Sequence, residues 1–124
     1  MQSEQIQIQV ETQYIKSQSQ PENNKYVFAY TITINNQGDD TVQLLHRHWL
    51  ITDADGKKTE VEGPGVVGEQ PEITPGESFS YTSGTVLNTP IGVMEGHYTL
   101  QVADSDLIQA TIPTFRLSVP NILH

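Results

Sequence analysis

Apolar residues alternate with polar ones along much of this chain, and a period of two marks a strand with one buried face. Ile6, Ile8 and Val10 alternate with Gln7 and Gln9, which predicts a strand over 6–10. The longest alternation runs over 26–34: Tyr26, Phe28, Tyr30, Ile32 and Ile34 share one face, and Val27, Ala29, Thr31 and Thr33 the other. A third strand is predicted over 42–52, where Leu45, Arg47, Trp49 and Ile51 alternate with Leu44, His46, His48 and Leu50. Apolar groups on both of its faces suit a central strand. Further strands are predicted over 59–62, 77–82, 97–102 and 107–119. Pro113 interrupts the last of these, which points to an edge position or a bulge.

Turn residues separate these runs. Pro21 lies in a polar loop over 17–24, residues 35–40 form a turn cluster, and Asp53-Ala54-Asp55-Gly56 reads as a hairpin turn. Residues 63–76 hold four glycines and three prolines and are expected to form a surface loop. Breaks are expected at 89–92 and 95–96, a turn at 103–106, and a tail over 120–124. No segment keeps a 3.6-residue period. Seven or eight short strands at this spacing predict an all-β, antiparallel β-sandwich of the fibronectin type III or immunoglobulin kind. The fibronectin-like version is favoured because the immunoglobulin cysteine pair is missing. At 124 residues, the whole chain is expected to be a single domain with short flexible termini.

Composition agrees. There are 34 Val, Ile and Thr residues against 12 Ala and Leu, and β-branched side chains fit a pleated surface better than a helix. The absence of cysteine excludes disulfides, zinc–thiolate sites, iron–sulfur clusters and a cysteine nucleophile. A net charge of −9 argues against a nucleic-acid-binding face. No apolar stretch reaches the ~18 residues of a membrane-spanning helix, and Met1-Gln2-Ser3-Glu4-Gln5 lacks the basic and apolar regions of a signal peptide. A cytoplasmic protein is expected.

The residues offer several chemistries. Gly63, Gly65 and Gly68 match G-x-G-x-x-G, a loop that can present N–H groups to a pyrophosphate. No helical pattern follows Gly68, however, and Glu60, Glu62, Glu69 and Glu72 would repel phosphate. The competing reading is that the glycines serve an irregular loop at one end of the sandwich. His46 and His48 point to one face of their strand and could begin a divalent-metal site, with His97 or a carboxylate as third ligand; packing is the alternative. A terminal histidine, His124, could also bind metal weakly. Arg47 and Trp49 occupy the opposite face, Trp49 as core and Arg47 stacked or paired with a carboxylate. Asp53 does not start a calcium loop, since Pro64 stands where the bidentate Glu belongs. Ser80 and Ser83 lack a nucleophile-elbow setting, and no catalytic set is visible.

Arg47-His48-Trp49, the block 52–56, the glycine block 61–71, and the segments 74–84, 89–92, 94–98 and 112–117 together resemble the ApaG family. The resemblance spans about residues 10–117 and is close. It implies a fibronectin type III-like sandwich in a stand-alone bacterial protein. The family is named from its genetic neighbourhood with a diadenosine tetraphosphate hydrolase, and as CorD it is linked to cobalt resistance and magnesium efflux. Related domains sit in eukaryotic F-box and polymerase-interacting proteins, which implies protein binding. The glycine motif has prompted a pyrophosphate-binding proposal for the family. The resulting expectation is a non-enzymatic module that needs no cofactor and recognises an unidentified protein partner. An open sandwich edge would also serve a homodimer. The alternative is a small-ligand sensor for a nucleotide polyphosphate or a divalent cation.

Overall fold

A computed structural model describes residues 2–103 and 106–120. Its eight strands are β1 (Ile6–Tyr14), β2 (Tyr26–Asn36), β3 (Val42–Asp53), β4 (Lys58–Pro64), β5 (Glu72–Ile73), β6 (Ser78–Leu87), β7 (Ile91–Val102) and β8 (Asp106–Ser118). All pairings are antiparallel. One sheet has the order β1-β2-β6; the other has the order β4-β3-β7-β8, with β5 joined to the start of β3. Three strands therefore face five, the fifth being the two-residue β5, in a fibronectin type III-like sandwich, as the turn spacing predicts. No helix among the described residues is long and apolar enough to cross a membrane.

The inner faces supply the core. Phe28, Ile32 and Ile34 of β2, Val42, Leu44 and Trp49 of β3, and Tyr98 and Leu100 of β7 are buried. Each large side chain removed from water in this way contributes about 1.5–3 kcal/mol. Trp49 sits among aromatic rings, 5.5 Å from Tyr30, 5.8 Å from Phe115 and 6.4 Å from Tyr98, all edge-on.

Several boundaries differ from the sequence pattern. β1 runs on to Tyr14 because β2 pairs with it as far as Tyr14↔Phe28. β6 continues to Leu87 for the same reason. The expected break at Glu95-Gly96 lies inside β7, where Gly96 lets the chain pass close to β3: a Cβ there would stand 2.0 Å from the His48 carbonyl oxygen. Glu72-Ile73, assigned to the long loop, forms β5 because buried Ile73 pairs with Val42. Pro113 sits at a register shift on an edge strand, where a missing N–H costs little. Residues 104–105 and 121–124 of the expected turn and tail, His124 among them, lie outside the described residues.

The strict alternation expected in β3 fails at one place. Leu44 pairs with Leu100 and His46 with Thr99, so Leu45 is an extra residue. This bulge reverses the phase of the strand. Val42 and Leu44 are buried before it, and Trp49 is buried after it.

Candidate functional site

The Leu45 bulge also positions the glycine loop. The Leu45 carbonyl accepts the Gly65 N–H at 2.8 Å and the Gln70 side-chain amide at 3.0 Å. Two residues on, Arg47 faces Gly63 of β4 across the ladder. Its guanidinium lies over Gly63, close enough that a Cβ there would come within 3.2 Å of Nη1. The same Nη1 donates to the Pro64 and Gly65 carbonyls, each at 3.0 Å. Arg47 is thus a staple on the loop backbone. No carboxylate lies within ion-pair distance of it among the described residues.

Beyond Gly65 (φ +59°) the chain makes a tight turn. The Val66 N–H donates to the Glu69 carbonyl at 2.8 Å, and the Glu69 N–H donates back to Val66 at 2.9 Å. Val67 and Gly68 at its centre have φ of +43° and +82°, the left-handed pair a type I′ turn requires. Glycine adopts this freely, but a β-branched valine does so at a cost of about 1–3 kcal/mol. Val66 is buried and anchors the turn, whereas the strained Val67 is 55% exposed at its tip. The N–H groups of Gly65 and Val66 are spent inside this structure. Gly63, Gly65 and Gly68 do share one loop, but they do not form a common ring of free donors.

His46 and His48 both lie on the outer face of the larger sheet, as expected. His48 meets other partners: its ring stacks on His97, 5.1 Å away, and its Nε2 is 3.2 Å from a Glu60 oxygen. His97 is the direct cross-strand neighbour of His48. Glu60 is largely exposed, so this pair adds little to stability. No group of three or more His, Asp or Glu side chains among the described residues is arranged to hold a metal ion. The Asp53 turn is structural: Asp53 Oδ1 accepts the N–H groups of Asp55 and Lys57, both at 2.9 Å. Ser80 bonds to Thr33 at 2.8 Å across the outer face of the smaller sheet.

Strand pattern alone did not reveal the seam between β4 and β6. β1 packs against β8 on one side of the sandwich. On the other side the smaller sheet is one strand too narrow, and every residue of β4 except Gly63 is exposed. Two clefts follow each other along this seam. One, of 180 Å³, has Trp49, Tyr30 and Tyr81 as its floor, Arg47 and Ser83 in its walls, and the Val66–Gly68 turn at its mouth. The next, of 170 Å³, lies between Ile51, Thr59 and Val61 of the larger sheet and Thr85–Leu87 of β6, with Asp53 and Lys57 at its end. Val61, Val67 and Val86 are exposed along the seam. The Tyr81 hydroxyl is hydrogen-bonded to that of Tyr98 beneath the first cleft. Burial is the main reason the Tyr81 phenol is pushed up to about 12, and burial likewise drives Tyr98 upward. Both are neutral hydroxyls at physiological pH. A legible signal was present in the sequence, since the stretch Ser78–Leu87 has no charge and no proline.

Known proteins resemble this chain closely. A family model described as the ApaG domain matches residues 16–102. The protein named ApaG from Shewanella halifaxensis is 56% identical over 119 residues, covering 96% of this chain and 94% of that protein. Protein ApaG of Photobacterium profundum is 55% identical with the same coverage. Among solved structures, a structural-genomics target superposes with a TM-score of 0.93 at 50% identity, over 98% of this chain and 92% of its own. A Bordetella pertussis protein described as ApaA superposes with a TM-score of 0.91 at 43% identity, over 94% of this chain and 95% of its own. With its sandwich, its stapled glycine loop and these matches, the chain belongs to the ApaG domain family.

Proposed function

We propose that this ApaG-family chain is a non-enzymatic binding module that recognises a protein partner through the seam between β4 and β6. The observation that carries this reading is the strained, exposed Val67 at the mouth of a cleft lined by Trp49, two tyrosines and Arg47, with Val61 and Val86 exposed further along. Backbone strain persists where the surrounding structure enforces it, and it gathers at functional positions. An exposed apolar patch between two sheets is what a docking surface needs. The module acts in the cytoplasm without a cofactor, and any link to cobalt resistance and magnesium efflux runs through its partner.

A small-ligand sensor is the rival reading. It draws less support, because the loop spends the Gly65 and Val66 donors internally and His48 stacks on His97. The test is affinity purification of the tagged chain from cells that naturally contain it, with the Val67→Asp variant alongside. A specific partner retained by the unaltered chain and lost from the variant is the expected result. Cells relying on the variant should then lose whatever cobalt tolerance the unaltered chain restores. Equal retention by both proteins would remove the seam from the argument.

A further inference from the structure

Apart from the two-residue β5, which pairs only with β3 and carries Glu72, the sandwich has four edge strands, β1, β6, β4 and β8. Natural sheets guard such edges with charge, proline, bulges or cover. β4 carries Lys58, Glu60, Glu62 and Pro64. β8 carries Asp106, Pro113 and Arg116 and a register shift. β1 carries Glu11 and packs against β8. β6 alone has none of these: its ten residues, Ser78–Leu87, include no charge and no proline, and its register with β2 is continuous. It pairs with β2 only. The unguarded edge borders the seam, beside the strand of the larger sheet that nothing covers.

We propose that an extended, cationic segment of a partner protein adds as a strand to the free edge of β6 and covers the inner face of β4. This rests on the reading of the chain as a protein-binding module and specifies its ligand. Strand addition gives affinity through main-chain hydrogen bonds and specificity through pockets for alternate side chains. The two clefts supply those pockets. One lies beside Tyr81 and Ser83, the other beside Thr85 and Leu87. Four residues of strand separate them, about 13 Å at the rise of an extended chain. Side chains at i and i+4 of an added strand share one face and span that distance. Both should be apolar, to meet Trp49 in the first cleft and Val61 in the second.

Charge decides between occupants. The clefts themselves are lined by Arg47 in the first and by Asp53 and Lys57 in the second. The chain as a whole carries −9, with Glu69 exposed on the turn at the first cleft and Glu60 and Glu62 exposed on the outer face of β4. A second copy would bring another −9 to the same edge, whereas a Lys- or Arg-bearing segment is attracted to it.

The test uses the full chain, isotope-labelled, with a synthetic decapeptide of Lys, Thr and Val that has Val at its fourth and eighth positions. Saturable amide shifts over residues 81–87 are expected, with at least about tenfold slower exchange of β6 amides. N-methylation of the peptide's edge-facing amides, or Glu in place of Lys, should each weaken binding at least about tenfold. So should Val86→Lys, which places an edge charge on an exposed position. An unchanged melting temperature for that variant shows that the fold survives. Binding that ignores N-methylation overturns strand addition. Concentration-dependent protection of β6 in the chain alone gives the edge to a second copy and overturns the cationic occupant. A natural partner that depends on Val67 but does not compete with the peptide overturns this inference and leaves the protein-binding reading standing. If no partner depends on Val67 and no peptide binds, both fall.

Discussion

Replacing Arg47 by Met should loosen the glycine loop without emptying the core. The substitution keeps an apolar stem beside Trp49 and removes a guanidinium that donates to the Pro64 and Gly65 carbonyls at 3.0 Å. A hydrogen bond from a charged donor contributes about 1.5–3 kcal/mol. Arg47 is only partly buried, so water reaches the freed carbonyls and the lower end applies, reduced further by rehydration. The two bonds together should then be worth about 2 kcal/mol. Unfolding entropy of ~2.1 cal/mol/K per residue gives about 0.26 kcal/mol/K for this length, so the midpoint should fall by about 8 °C. Arg47→Lys retains the charge but loses the fork and should recover about half. Calorimetry supplies the midpoint, and amide exchange supplies the local signature. The Gly65 N–H, bonded to Leu45 at 2.8 Å, should exchange faster in Arg47→Met while the β2 amides do not. A shift below about 2 °C, or Gly65 protection left intact, would refute the staple and leave the bulge alone as the organiser of the loop.

Other outcomes follow from single contacts. Gly96→Ala would place a Cβ 2.0 Å from the His48 carbonyl oxygen, between two paired backbones; denaturant titration should show a loss at the upper end of the about 1–3 kcal/mol typical of overpacking, or more. Buried Asn36 donates to the Asp40 and Ile73 carbonyls and accepts the Gly38 N–H; Asn36→Ala should cost about 3 kcal/mol, and exchange should report the loss first at β5. Tyr81, pushed up to about 12, and the still higher Tyr98 are held neutral by burial. Because the folded values lie above the unfolded value of about 10, this contribution is whole below pH 10 and is lost as pH rises toward 12. Urea-measured stability should fall there by about 1.4 kcal/mol per pH unit for each tyrosine, and Tyr98→Phe should halve the slope.

Much of the sandwich could be read from alternation because each buried face follows a period of two. β2 is the clearest case, where the expected inner residues Phe28, Tyr30, Ile32 and Ile34 are all buried. Alternation cannot show an inserted residue, so it passes over the Leu45 bulge and puts Leu44 on the face of His46 and His48, whereas the structure buries it on the face of Trp49. Nor can local composition show a close approach between strands. Glu95-Gly96 looks like a turn, yet the glycine is there because β3 passes within contact of its α-carbon. β5 is two residues long and depends on Ile73 finding a place in the core, which is a tertiary fact.

The glycine loop shows why the motif was ambiguous. G-x-G-x-x-G fits any backbone that needs left-handed turns and close passage, whether or not a phosphate is present. Here each glycine has a separate local reason. Gly63 lies under the Arg47 guanidinium, Gly65 lies at φ +59° with the Glu69 carbonyl where a Cβ would go, and Gly68 completes a turn at φ +82°. The residue that glycine logic does not explain is Val67, a β-branched side chain held in left-handed backbone and turned outward. Folding alone would be served better there by Asn or Gly. On the proposed reading of the chain as a protein-binding module, the exposed methyl groups of Val67 are what a partner would meet. That reading puts its emphasis on the rim of the Trp49 cleft and the neighbouring edge of β6, whereas the rival sensor reading needs the loop's amide groups, of which Gly65 and Val66 are already engaged.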